Sequence, residues 1–191
     1  LAAKGPCEAQ TGWISVMNPI VLIPARMASS RLPGKPLALI GGEPMIVQVW
    51  RRAMEAQLGD VVVACDGEEI ADAIRAVGGN AILTNPDHPS GSDRIWEAVQ
   101  KMNNVSSSRI GESRAAAHAS GGMGARPPYE TIINLQGDVP TLEPRLLQEL
   151  LIPLENPAVD ISTLAAIIAR EEEHTNPAVV KAILSLSHNT R

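Results

Sequence analysis

The chain has 191 residues, 45% of them hydrophobic and 19% charged, with a formal net charge of −5. This fits one sizeable domain of ordinary soluble composition and excludes a surface built to coat nucleic acid. No apolar run approaches the roughly 18 residues of a membrane span, residues 1–16 lack a signal-peptide core, and Cys7 and Cys65 make neither a disulfide framework nor a zinc site. The expected compartment is the cytoplasm, with neither membrane nor nucleic acid as partner. Any bound anion must be held by a local cluster of cations.

The chain opens on Leu1, while Met17 directly precedes Asn18, Pro19 and the first apolar run. Residues 1–16 are therefore expected to be an upstream or non-native extension, and the domain to occupy 17–184. Residues 20–24 are apolar without alternation, which predicts a strand buried on both faces. Residues 44–58 place Ile46, Val49, Trp50, Ala53 and Met54 at helical spacing, with Pro44 at an N1-like position and Gly59 at the end.

Residues 61–65 predict a second strand. Asp66 and Glu69 then have the spacing of a capping box, and the helix they open is stopped by Gly78 and Gly79. Further strands are expected at 81–84 and 131–135, a helix at 91–102 capped by Ser92 or Asp93, and another from Glu143 and Pro144 to about Leu154. Residues 160–169 and 178–184 are further strand candidates. Residues 103–128 are rich in Ser, Gly, Ala and Arg without an apolar face and read as a mobile insertion. Its Arg109, Arg114 and Arg126 read as solvated loop arginines rather than an anion patch.

Strands alternating with helices predict an α/β fold with a mostly parallel sheet flanked by helices. Ligands of such sheets sit at the carboxyl ends of strands, and the polar motifs of this sequence fall there. The first strand leads into Pro24, Ala25, Arg26, Ser30, Arg31, Pro33, Gly34, Lys35 and Pro36, a run with three cations and a restrained backbone. A triphosphate carries about four negative charges and needs fixed cations and exposed backbone N–H groups. Arg supplies forked donors and Lys a compact charge. The spacing is not that of a Walker loop. Asp138, after the fourth strand, is suited to Mg2+, which prefers one or two carboxylates with phosphate oxygens and water.

From Ile23 through Pro24, Ala25, Arg26, Ser29, Ser30, Arg31, Leu32, Pro33, Gly34, Lys35 and Pro36 the chain resembles the opening of the 3-deoxy-manno-octulosonate (Kdo) cytidylyltransferases, the CMP-Kdo synthetases of lipopolysaccharide synthesis. The resemblance continues through Gly41 to Ile46, His88 to Arg94, Asn134 to Pro140 and Asn176 to Lys181. It implies a Rossmann-like nucleotidyltransferase that transfers CMP from CTP to Kdo and releases pyrophosphate, with Mg2+ as cofactor. Arg26 and Lys35 would hold the phosphates as the catalytic cations, with Arg31 supporting the loop. Pro24, Ala25, Ser90 and Gly91 would read cytosine, and Gln136 the base or sugar. Arg94 reads either as a nucleotide contact or as a surface helix arginine paired with Asp93 or Glu97. His88 reads as a ligand contact or a loop histidine, and Asp66 as a helix cap.

The chain departs from the family pattern at Val139, where the family commonly carries Glu, and after Leu184, where residues 185–191 leave the pattern. The expectation is a fold incomplete at its C-terminus, weakly active or inactive and prone to aggregate. It would lack the half that supplies the sugar pocket and the homodimer interface of full-length members. A cytidylyltransferase for sialic acid or another acidic sugar, and a non-catalytic nucleotide-binding fragment, are the alternatives.

Overall fold

The computed structural model describes residues 18–28, 33–113 and 129–183. The expectations for residues 1–16, Met17, Ser30, Arg31 and 185–191 lie outside these residues, as do Arg114, Arg126 and the side chain of Arg109.

Strand β1 (Pro19–Ala25) is buried along nearly its whole length. Successive side chains of a strand point to opposite faces, so an unbroken apolar run needs cover on both. Val21, Ile23 and Ala25 join one core cluster, and Ile20 and Leu22 another on the opposite face. Full burial of each such side chain contributes about 1.5–3 kcal/mol. Both edges of β1 are also taken. It pairs in parallel with β4 (Asp60–Cys65), from Ile20 opposite Asp60 to Ala25 opposite Cys65. On the other edge it pairs in parallel with β6 (Thr131–Asn134), from Pro19 opposite Thr131 to Leu22 opposite Asn134. Strand β5 (Asn80–Leu83) adds outside β4, giving the order β5-β4-β1-β6.

Between β1 and β4, strands β2 (Leu39–Ile40) and β3 (Glu43–Pro44) form a small antiparallel hairpin that leads into helix α1 (Met45–Glu55). Pro44 caps α1 from just outside, one residue before the expected N1 position. Helix α1 buries Ile46, Val49, Trp50 and Ala53 against the Val21 and Ile23 face. Helix α2 (Glu68–Arg75) covers the same face with Ile70, Ala71 and Ile74, as does the short α4 (Arg145–Glu149) with Leu147. The opposite face is covered by α3 (Gly91–Ser113) through Ile95 and Val99. A last short helix, α5 (Glu171–Thr175), is exposed.

Three expectations change. Helix α3 runs on to Ser113, so residues 103–113 continue the helix where a loop was expected, and residues 114–128 lie outside the described ones. The helix expected over 143–154 is divided into α4 and a 3-10 turn, Ile152–Glu155, where Pro153 cannot continue the helical hydrogen bonding. The strand candidates at 160–169 and 178–184 form no strand among the described residues. Their β-branched side chains favour a pleated surface only when that surface is half-buried, and Ile161 and Ile167 are 86% and 95% exposed.

Cys65 ends β4 fully buried, and burial, with the neighbouring Asp66 charge, pushes its thiol up to about 11. The reactive form is the thiolate, so Cys65 should resist alkylation at pH 8 in the folded protein and react once denaturant opens the sheet. Peptide mapping that finds Cys65 rapidly modified in the native state would contradict this placement.

Candidate functional site

The chain steps outward from β1 through β4 to β5, then returns to the other edge of β1 as β6. Connections leaving β1 and β6 diverge at this reversal and open a crevice beyond their carboxyl ends, the switch point at which open parallel sheets take ligands. A cleft of about 440 Å³ lies there, within the size range of small-molecule sites. It is lined by Pro24, Ala25, Arg26, Lys35, Pro36, Met45, His88, Ser90, Gly91, Arg94, Gln136, Gly137 and Asp138. Every residue named from the sequence for nucleotide or metal therefore meets in one place, except Arg31, which is outside the described residues.

The loop after β1 is held at Met27 by both of its backbone groups. Its N–H donates to the two carboxylate oxygens of Asp66, at 3.0 and 3.2 Å. Its carbonyl accepts from the N–H of Gly34 at 3.0 Å. Gly34 has φ of 70°, a left-handed conformation that glycine adopts without steric cost, and it caps the 3-10 turn Lys35–Leu37 that presents Lys35. Asp66 is thus no helix cap: Gly67 stands at the N-cap of α2, without a side-chain capping bond. The capping-box spacing is real, but the carboxylate reaches a partner 39 residues away, which no local pattern reveals.

The opposite lip is built on close approach. A Cβ at Gly137 would come within 2.8 Å of the Pro24 carbonyl oxygen, and one at Gly91 within 3.1 Å of the Pro24 ring. Small residues here let the backbone of the loop after β6 and the start of α3 rest directly on the end of β1. The cap of α3 is Ser90 rather than Ser92 or Asp93. Its hydroxyl accepts from the N–H of Asp93 at 3.2 Å, the bond of an N-cap, and donates to the Asp93 carboxylate at 2.6 Å. That engages the Ser90 side chain, and its backbone remains the group available to a ligand.

The charged side chains divide into two kinds. Arg26 is exposed at the rim. Lys35 and Asp138, read separately as phosphate and metal ligands, form a salt bridge of 2.7 Å across the cleft. Both are well exposed, and an exposed pair of this kind is worth at most about 1 kcal/mol, so incoming phosphate displaces it cheaply. Arg94 is the contrast. It is 2% exposed, not a surface helix arginine, and pairs with neither Asp93 nor Glu97. Its Nη1 donates to the buried hydroxyl of Thr84, while Nη2 has no hydrogen-bond partner among the described residues. His88 meets Glu97 through Nε2. Glu97 also receives Lys101 and the N–H of Asn85, and these bonds, Lys101 first, hold its carboxyl down to about 2. The side-chain amide of Gln136 donates to Asn134 at 3.1 Å, and Val139 packs against the core.

No group of three or more His, Cys, Asp or Glu that could hold a metal occurs among the described residues. The cleft offers the single carboxylate of Asp138, a donor set that fits Mg2+ carried on phosphate oxygens rather than held in a protein cage. Sequence reading missed Asp66, Thr84 and Glu97 as supports of the site. All three act through contacts distant in sequence.

Two outcomes test this geometry. Gly137→Ala should destabilise the fold by about 1–3 kcal/mol, the usual cost of overpacking, and a chemical denaturation midpoint equal to that of the parent would contradict the close approach. For Glu97, a folded pKa below the unfolded one means its contribution is fully present above about 4.5 and is lost as pH falls toward about 2. The stability gap between the parent and Glu97→Gln should therefore shrink as pH falls across that window.

The cytidylyltransferase family model matches residues 20–190. The 3-deoxy-manno-octulosonate cytidylyltransferase of Paramagnetospirillum magneticum is 49% identical over 92% of this chain and 63% of its own length. That of Parvibaculum lavamentivorans is 54% identical over 88% of this chain and 57% of its own. The chain thus spans about three fifths of the length of these curated relatives. The solved structure of CMP:2-keto-3-deoxy-manno-octonic acid synthetase complexed with CTP is 37% identical, with a TM-score of 0.58 over 74% of this chain and 49% of that one. No described helix is long and apolar enough to cross a membrane. A parallel sheet with its cleft at the switch point, together with a family match running from β1 to beyond the last described residue, leads to one assignment: the chain belongs to the cytidylyltransferase family.

Proposed function

We propose that this chain binds CTP·Mg2+ in the crevice between β1 and β6 and serves the transfer of CMP to Kdo, for lipopolysaccharide biosynthesis in the cytoplasm. The observation that carries the proposal is the meeting of Arg26, Lys35, Arg94 and Asp138 with the glycine-lined end of β1 in one cleft. Its relatives are CMP-Kdo synthetases, and a structural neighbour was solved with CTP.

In the proposed reaction the anomeric hydroxyl of Kdo attacks the α-phosphorus of CTP in line. An oxygen–phosphorus bond forms to the sugar, the bond to the β-phosphate breaks, and pyrophosphate leaves as the hydroxyl proton is lost. Lys35 releases Asp138 and takes a phosphate oxygen, while Arg26 approaches from the rim. Arg31 is assigned to the same loop. The carboxylate of Asp138, freed from Lys35, would hold Mg2+, which when bound neutralises charge on the phosphate oxygens. Backbone groups of Pro24, Ala25, Ser90 and Gly91 are assigned to the base, where Gly91 and Gly137 lie close against Pro24. Gln136 is assigned to base or sugar. Positioning and electrostatics supply most of the rate in such transfers.

Titration calorimetry with CTP and Mg2+ tests the reading. The chain should bind CTP more tightly than ATP or GTP, and Lys35→Ala should weaken CTP about tenfold or more, the loss of a charge-assisted contact. Absence of CTP binding would sink the proposal. CTP binding without Kdo-dependent pyrophosphate release would support a non-catalytic nucleotide-binding role instead.

A further inference from the structure

Arg94 presents an unusual energetic situation. A guanidinium withdrawn from water is costly unless charge and hydrogen bonds compensate it. Among the described residues no carboxylate lies within ion-pair distance of Arg94, and Nη2 makes no hydrogen bond. Nearly all buried polar groups are satisfied, so such an atom calls for a partner. Arg94 also lines the cleft.

Among the described residues, the side chain that holds this guanidinium is Thr84, itself buried, just beyond β5. Its backbone N–H and its hydroxyl both donate to the carbonyl of Cys65, at 2.8 and 2.9 Å. A hydroxyl has one proton to give, and Cys65 takes it, which leaves the oxygen lone pairs facing Arg94 as acceptors only. The guanidinium is therefore fastened through Thr84 to the carboxyl end of β4.

We infer that Thr84 is a positioning residue for the nucleotide: it fixes the Arg94 guanidinium so that Nη2 donates to an acceptor oxygen of the nucleotide bound in the cleft. The inference rests on the CTP reading above. It adds a residue outside the cleft lining, and it makes the hydroxyl of Thr84, not its bulk, the feature that matters.

A double-mutant cycle with CTP·Mg2+ in titration calorimetry tests it. Thr84→Val keeps shape and removes the hydroxyl, and should weaken CTP binding about tenfold, the scale of a hydrogen bond to a charged group. Thr84→Ser restores the hydroxyl and should bind within about twofold of the parent on the same scale. In an Arg94→Met background, Thr84→Val should cause no further loss. An equal loss with and without Arg94 would assign Thr84 a merely structural role and overturn the inference, as would parental affinity in Thr84→Val. A second readout needs no variant to fold: the guanidinium nitrogen signals of Arg94 should shift and exchange more slowly when CTP is added, and unchanged signals despite CTP binding would also overturn it. Failure of the parent chain to bind CTP would remove the nucleotide reading first, an outcome separate from either of these.

Discussion

The burial of β1 on both faces and both edges is the constraint on which the rest depends. A strand in that position can be served only by helices above and below and by parallel neighbours on each side. Its two neighbours, β4 and β6, are reached by chain segments that wind in opposite directions. The reversal places the end of β1 at the bottom of a crevice. Pro24 stands there as the floor on which Gly91 and Gly137 rest. The site therefore follows from the packing of one strand, and the loop after β1 and the loop after β6 need no further device to face each other.

The electrostatics follow the same division into floor and rim. At the rim, Lys35 and Asp138 neutralise one another in water, where holding two opposite charges together costs little and separating them costs little. On the floor, a guanidinium bonds to the Thr84 hydroxyl, which is itself tied to the Cys65 carbonyl at the end of β4, and both are kept from solvent. Exposed charges suit capture and exchange of phosphates. Buried ones suit selection, because an ill-fitting ligand leaves them unpaired in a place where that is expensive. Half-buried Glu97 stands between the two kinds: it gathers His88, Lys101 and the backbone of Asn85 into one knot beside the cleft.

Elements whose side-chain pattern is set locally were legible in the sequence. The apolar run of β1, the helical spacing of α1 and the β-branched run of β4 each record burial directly, and their observed bounds differ from expectation by a few residues at most. The cleft lining was legible because the polar motifs stood at strand ends. What escaped is what depends on distant partners. Asp66 carries a capping-box spacing yet clamps Met27. Residues 160–169 carry the composition of a strand without forming one. Arg94 did leave a signal: with Ile95, Ala98 and Val99 it lies on the helical stripe that faces the sheet, and a charged residue on such a stripe is buried for a reason.

The two walls of the cleft differ in how they can vary. Around Pro24 the approach is close on both sides: Gly137 meets the Pro24 carbonyl and Gly91 meets the Pro24 ring, so neither glycine has room for a side chain. The facing wall, with Lys35, Pro36 and Met45, is carried on a 3-10 turn and the first residue of α1, outside the main sheet. Room for side-chain change is therefore lopsided. One wall behaves as a fixed jaw, and the wall that faces it, on the turn and the start of α1, is where side chains can be exchanged without moving β1.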